Sequence, residues 1–480
     1  MTYDIIIYTN VADFPCQRAI GAYQLAGHLR KYGITVQIID FTDNFTTEEL
    51  FEITKKFIGK NTLAVGVSST FYEGQTIKGF ETNRKQTSFL PDNVINTVSL
   101  LKERYPSIRF ILGGANSRKY QFDGLFSAVF HNYSENSFLE YIREIKNDRK
   151  RLWPKNNGTE IIDGALFPFD IRSLEYDWAQ NDHIFKGEVL PIEISRGCIF
   201  KCKFCNYPYN GKNHLDYLRD PYLIKDEIVR NYEKYGTTDY MFGDDTFNDT
   251  TYKLEGLYNV LRDLPFKIKF STYLRLDLLH AHKEQISLLK EMGLAYAFMG
   301  IETFDPKTAK FVNKSLHSNK VKDLILKLKN EYWKDEVSFQ CTFIVGLPTE
   351  PITSTDKTFQ WLMDNKINNY WSPLWINPNK WWKSDIDTNY EKYGYRNVSD
   401  SYWEHDIMSR HEANEAATRY NSLAIPNQEL EMSVSNSLIN LGYSREYIRK
   451  TPLKDLPLEE IKIKAEAKMK EYKNCLANEK

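Results

Sequence analysis

Short apolar runs alternate along the first third of the chain with longer stretches in which apolar residues return every three or four positions. Residues 3–9 (YDIIIYT), 34–41 (ITVQIIDF), 62–70 (TLAVGVSST), 108–116 (IRFILGGAN) and 127–132 (SAVFHN) have the length and character of strands. Residues 19–33, 46–59, 91–106 and 134–148 carry helical spacing, with Gly33 and Gly59 as stops and an acidic first turn in the second of them. Alternation of this kind predicts an α/β fold with a doubly wound, mainly parallel sheet. Ligands of such sheets sit at the carboxyl ends of the strands, which here carry Thr9, Asn10, Ser68, Ser69, Thr70, Gly113 and Gly114.

A second alternating series runs through the middle of the chain. Strands are expected over 190–195, 239–247, 266–277, 295–303, 337–348 and 369–378, with helices over 221–236, 251–265, 283–293, 321–335 and 354–366. Six such units predict an open (β/α)6 barrel of TIM type, whose chemistry gathers at the C-terminal ends of its strands. The pattern is lost after about residue 385, and 400–422 and 428–474 read as polar helices. The expected organisation is a Rossmann-like domain (1–150), a linker (151–187), the barrel (188–385) and a small helical cap (386–480).

Composition narrows the function. Of 480 residues, 42% are hydrophobic and 26% charged, ordinary globular values. A net charge of −1 argues against nucleic acid as partner, because phosphate-backbone binders carry a basic excess. No apolar run is long enough for a membrane helix. The opening residues, MTYDIIIYTNVADF, lack a basic region before their apolar run, so no signal peptide is expected. Six cysteines in a chain of this length do not make a disulfide scaffold, and a cytoplasmic, reducing setting is expected.

Half of those cysteines, Cys198, Cys202 and Cys205, fall within eight positions (CIFKCKFC), on the loop after the first barrel strand. Four thiolates would make a closed structural site, whereas three leave a metal position open to a substrate. Short loop spacings let three cysteines reach three corners of one cubane. A zinc knuckle with His214 as fourth ligand is the competing reading.

Cys198-x-x-x-Cys202-x-x-Cys205, with Phe204 before the last cysteine, resembles the radical S-adenosylmethionine (SAM) superfamily. The resemblance implies a 4Fe-4S cluster on these cysteines, SAM bound at the free iron, and a 5′-deoxyadenosyl radical that takes hydrogen from the substrate. Later strand ends continue it: GDDTFND (243–249, with Asp244 and Asp245), STYLRLD (271–277), GIET (300–303) and FIVGLP (343–348) resemble motifs of the cobalamin-associated branch. The resemblance implies Arg275 at the SAM carboxylate, Glu302 at its ribose or amino group, and the Gly346 backbone along the adenine. Helix capping by Asp244 and Asp245, and an ion pair between Arg275 and Glu302, are the bland alternatives.

The first domain resembles the cobalamin-binding domain of the same branch, which implies that Ser68, Gly113 and Gly114 face the nucleotide tail of cobalamin. The cobalt-ligating Asp-x-His-x-x-Gly is absent, the corresponding loop reading DFPCQRAIG (13–21), and HNYSENSFLEYI (131–142) stands where an acidic, glycine-bearing segment is usual. The polar stretch 71–90 is expected to reach over the cobalamin site or the substrate. Cys16 and Cys341 are expected as plain packing residues, Cys475 as exposed, and His405 and His411 as no metal pair.

The resemblance implies a radical SAM enzyme acting on a small molecule of unknown type, most directly a cobalamin-dependent methylation of an unactivated carbon. It also implies a flavodoxin- or ferredoxin-like electron donor. Oxidation, rearrangement or cyclisation with a vestigial first domain, and a non-enzymatic cluster or zinc protein, are the alternatives. Four tryptophans at 371, 375, 381 and 382 suit either an apolar, planar substrate or packing of the cap.

Overall fold

The structure, a computed structural model, describes residues 1–11, 14–72, 90–147, 152–207, 209–314, 318–378, 382–399 and 402–479. Most of the polar stretch 71–90, one of the four tryptophans (381) and part of the loop 13–21 therefore lie outside the described residues.

The first apolar runs form β1 (Ile5–Tyr8), β2 (Val36–Ile39), β3 (Ala64–Ser68), β4 (Arg109–Gly113) and β5 (Ala128–His131). They pair in parallel in the order β2-β1-β3-β4-β5. Two more strands, β6 (Lys155–Asn156) and β7 (Thr159–Asp163), extend the sheet from the stretch read as connecting chain, β7 parallel to β5 and β6 antiparallel to β7. Helix signals in the sequence act as their chemistry requires. Thr46 and Glu49 form a reciprocal capping box on the helix Thr47–Phe57. The helix Pro221–Tyr235 starts on an Asp220 cap with Pro221 in its first turn and ends on Gly236 at φ +67.

The second series forms β8 (Leu190–Glu193), β9 (Asp239–Gly243), β10 (Lys269–Arg275), β11 (Leu294–Glu302), β12 (Ser338–Val345) and β13 (Asn369–Pro373). All six are parallel and each lies beside its sequence neighbour, so the sheet is an open barrel wound in chain order. Its apolar side and one side of the first sheet share a single core, bridged by Tyr176 and Trp178 from the connecting stretch. A separate core on the other side of the first sheet is completed by Met469, Tyr472 and Leu476 of the last helix, Leu458–Asn478.

The C-terminal region is not purely helical. A hairpin of β14 (Arg396–Ser399) and β15 (Tyr402–Glu404) occupies part of it, and the helix expected from residue 400 starts at Arg410. The cause is local: Ser409 and Glu412 cap that helix reciprocally, and Trp403 upstream is drawn into the barrel core.

Candidate functional site at the barrel mouth

The cysteine loop leaves β8 and folds back on itself. Cys205 N donates to Cys202 O at 3.1 Å, Gly211 N to Phe200 O at 3.0 Å and Lys212 N to Cys198 O at 3.0 Å. The turn needs a bare backbone at Gly197, which has φ +121 and where a Cβ would lie 2.7 Å from Tyr209 O.

Each of the three sulfurs has a polar neighbour. Cys198 Sγ accepts from Phe200 N at 3.4 Å and lies 3.3 Å from Thr246 Oγ1. Cys205 Sγ accepts from Asn210 Nδ2 at 3.2 Å, and Cys202 Sγ from Arg275 Nη1 at 3.2 Å. Burial pushes the Cys198 thiol up to about 11 and raises that of Cys205 as well. Bare thiolates are therefore disfavoured here, whereas sulfurs that share charge with metal and accept hydrogen bonds suit the surroundings. Among the described residues no three His, Cys, Asp or Glu side chains converge on one metal ion, and His214 is exposed. A cubane takes one cysteine per iron, and three cysteines with hydrogen-bonded sulfurs are a donor set that suits it.

Arg275 is fixed from three directions. Its Nε and Nη2 reach both Asp277 oxygens, at 3.0 and 2.6 Å, and its guanidinium lies 3.9 Å from the centre of the Phe200 ring. Burial opposes its charge, but the bonds and charge of Asp277 overcome that and raise its pKa. The expected alternative pairing with Glu302 does not occur. Glu302 pairs instead with Lys314 Nζ, at 2.8 Å, and holds a left-handed backbone at φ +69 where the β11–β12 register shifts. A non-glycine residue in that region is strained and persists only where its surroundings impose it.

The two aspartates after β9 part company. Asp244 accepts from Lys253 Nζ and Thr246 N, both at 2.9 Å, and Lys253 also meets Asp249 at 2.8 Å. This is a buried structural triad. Asp245 instead accepts from the Gly197 backbone, and burial together with the neighbouring Asp244 charge raises its carboxyl to about 7. Phe204 packs against the barrel core. Gly346 is covered by the Trp403 ring, which would lie 2.6 Å from a Cβ there, and its carbonyl accepts from Tyr395 Oη at 2.7 Å. Thr246 and Asp277 stand inside the motifs quoted from the sequence; Asn210, Lys253 and Lys314 carried no signal.

The first sheet meets this loop through Arg196. Its guanidinium bonds Glu193 at the end of β8 at 2.9 Å and Glu135 at the start of the helix Glu135–Lys146 at 2.6 Å, and it lies 4.2 Å from the centre of the Tyr133 ring. Gln24 Nε2 donates to Glu193 at 2.8 Å. At the strand ends of the first sheet Ser68 pairs with Gly113. Gly114, at φ +90, lets the β4 exit approach Ser69 N to where a Cβ would be 2.7 Å away. A Cβ on Gly113 would lie 3.9 Å from Phe130 Cβ, and the Gly113 carbonyl accepts from Ser69 N at 2.8 Å and Ser69 Oγ at 2.6 Å.

The radical SAM superfamily matches the chain over residues 192–362. The barrel is a radical SAM domain. The anaerobic magnesium-protoporphyrin IX monomethyl ester cyclase of Cereibacter sphaeroides is 25% identical over 243 residues, which cover 48% of this chain and 38% of that protein. Among solved structures, the radical SAM methyltransferase TsrM of Kitasatospora setae, with tryptophan substrate and a SAM analogue bound, matches with a TM-score of 0.66 and 14% identity over 97% of this chain and 100% of that one. The cobalamin-dependent SAM radical enzyme OxsB, with aqua-cobalamin and SAM bound, matches with a TM-score of 0.58 and 15% identity over 82% of this chain and 56% of that one. At these identities the likeness establishes the fold alone: a Rossmann-like sheet, a parallel barrel and a C-terminal region arranged as in those two structures. No helix among the described residues is long and apolar enough to cross a membrane.

Proposed function

We propose that the chain cleaves SAM reductively at a 4Fe-4S cluster, abstracts hydrogen from a small-molecule substrate and, with cobalamin in the first domain, methylates an unactivated carbon. The observation that carries this reading is the trio of hydrogen-bonded cysteine sulfurs at the C-terminal mouth of a parallel barrel. Cys198, Cys202 and Cys205 would each hold an iron, with Phe204 seating the loop.

The remaining residues bind and orient. Arg275, aligned by Asp277, would meet the SAM carboxylate; Glu302, held by Lys314, would meet the ribose or amino group; and the Gly346 backbone would line the adenine. Asp245 braces the turn at Gly197, while Asp244 holds the loop after β9 through Lys253. Ser68, Gly113 and Gly114, at the carboxyl ends of β3 and β4, would line the cobalamin side of the first sheet. Electrons come from a flavodoxin- or ferredoxin-like donor in a reducing cytoplasm. The cofactors supply the difficult bond chemistry, and these side chains supply position and exclusion of water.

The test is anaerobic purification with cobalamin, cluster reconstitution and reaction with SAM, dithionite and cell extract. Expected results are iron and sulfide in a 4Fe-4S ratio, a corrinoid spectrum, 5′-deoxyadenosine and methyl transfer from labelled SAM. Cys202→Ala should lose the cluster and all turnover. A reconstituted chain that makes no 5′-deoxyadenosine defeats the reading. One that makes it with no corrinoid bound keeps the radical chemistry and gives up methylation in favour of oxidation, rearrangement or cyclisation.

A further inference from the structure

Five arginines are buried among the described residues: Arg18, Arg196, Arg219, Arg275 and Arg410. Four have carboxylate partners, namely Glu188, Glu135 with Glu193, Glu227 and Asp277. Arg410 is the exception. It is 7% exposed, yet no described carboxylate pairs with it and no described group accepts from its guanidinium. It lies instead 4.4 Å from the centre of the Trp375 ring. Burial alone acts on it and lowers its pKa. No nitrogen of its guanidinium is both fully buried and unbonded, so the edge of the group still reaches solvent and can take an anion in a charge-assisted pair.

The location suits a ligand. Trp375 follows β13 and is 56% exposed, an unusual state for the largest side chain. Trp403 Nε1 donates to Leu374 O at 2.9 Å, and Trp403 and Ala413 both pack on Gly346 at the end of β12. The helix Asp385–Asn389 that follows returns to the cysteine loop, where Ile386 N donates to Lys203 O at 2.9 Å. Arg410 and Trp375 therefore stand at the same end of the barrel as the cysteines, beside its last two strands.

We propose that Arg410 and Trp375 form a substrate subsite, the guanidinium taking a carboxylate and the open indole face stacking on a planar, conjugated ring. This rests on the reading of the barrel mouth as the active site. A guanidinium matches a carboxylate with two parallel charge-assisted bonds, and an indole offers a broad face to an aromatic ring.

The test uses the reconstituted full-length chain and calorimetric titration with two matched pairs, indole-3-acetate against indole-3-acetamide and 2-naphthoate against 2-naphthamide. Each acid is expected to bind at least about tenfold tighter than its amide, the margin of a charge-assisted bond over a neutral one. Arg410→Gln should erase that preference, Arg410→Lys should keep part of it, and Trp375→Ala should weaken acid and amide alike. Saturating SAM should leave the preference in place. Equal binding of acid and amide, binding of neither, a preference that survives Arg410→Gln, or displacement of the acid by SAM each overturns the proposal. If Arg410→Gln does not fold, the wild type, Arg410→Lys and Trp375→Ala decide it. SAM cleavage is assayed on the same preparation: an intact acid preference without 5′-deoxyadenosine defeats the enzymatic reading and leaves an anion-binding pocket.

Discussion

Arg275 joins a sulfur, a carboxylate and an aromatic ring, and each contact has its own consequence. Its bond to Cys202 Sγ places positive charge beside an electron-rich sulfur. Charge and hydrogen bonds at cluster sulfurs set reduction potential. Arg275→Gln should therefore shift the cluster midpoint to more negative values in a redox titration and lower 5′-deoxyadenosine formation by tenfold or more. A second residue-scale prediction concerns Glu350, which is 2% exposed and raised by burial to about 7. Its folded pKa lies above its unfolded value near 4.5, so the native state holds an extra proton between the two. Stability from this group thus falls as pH rises through that window and is level above it. Glu350→Gln should gain stability relative to wild type between pH 5 and pH 8, measured by urea unfolding of the apoprotein. Much at this scale was legible in the sequence: the cysteines, Arg275 and Glu302 all reach the barrel mouth. Their partners were not: Asn210 and Lys314 lie only a few residues beyond Cys205 and Glu302, but no residue pattern there signals either pairing.

Between elements, buried ion pairs do the joining. Arg18 is enclosed by Glu188, the Tyr23 hydroxyl and the carbonyls of Asp182 and His183, which ties the first helix to the chain entering the barrel. Arg18→Met should cost about 3–5 kcal/mol, because it leaves the buried Glu188 charge with only the Phe185 N–H bond. The double variant Arg18→Met with Glu188→Leu should recover most of that loss in thermal denaturation. The order of strands and helices was readable because burial on both faces makes parallel strands near-continuous apolar runs. β6, β14 and β15 escaped because two- to four-residue polar strands carry no such run. The connecting stretch packs on its neighbours through Tyr176 and Trp178, as its aromatic residues imply, and its turn signals hid β6 and β7.

At the scale of the molecule, the last helix returns across the whole chain to the first sheet. Tyr472 is fully buried there and accepts from Asp40 N at 2.9 Å. Helical spacing in that segment was evident; the surface it covers was not, since Met469, Tyr472 and Leu476 could have faced any apolar patch. Tyr472→Ala should cost about 3–5 kcal/mol by opening a cavity, and amide exchange in 458–478 should accelerate well before the barrel responds. Tyr472→Phe should cost about 1 kcal/mol, the worth of one hydrogen bond.

The clamp at Arg196 makes the two halves interlocutors. One guanidinium grips the strand that launches the sulfur loop and, on its other side, the helix Glu135–Lys146 packed on the first sheet. Adding cobalamin to the reconstituted chain should then be audible in the paramagnetic resonance line shape of the reduced centre, and Arg196→Leu should silence that response.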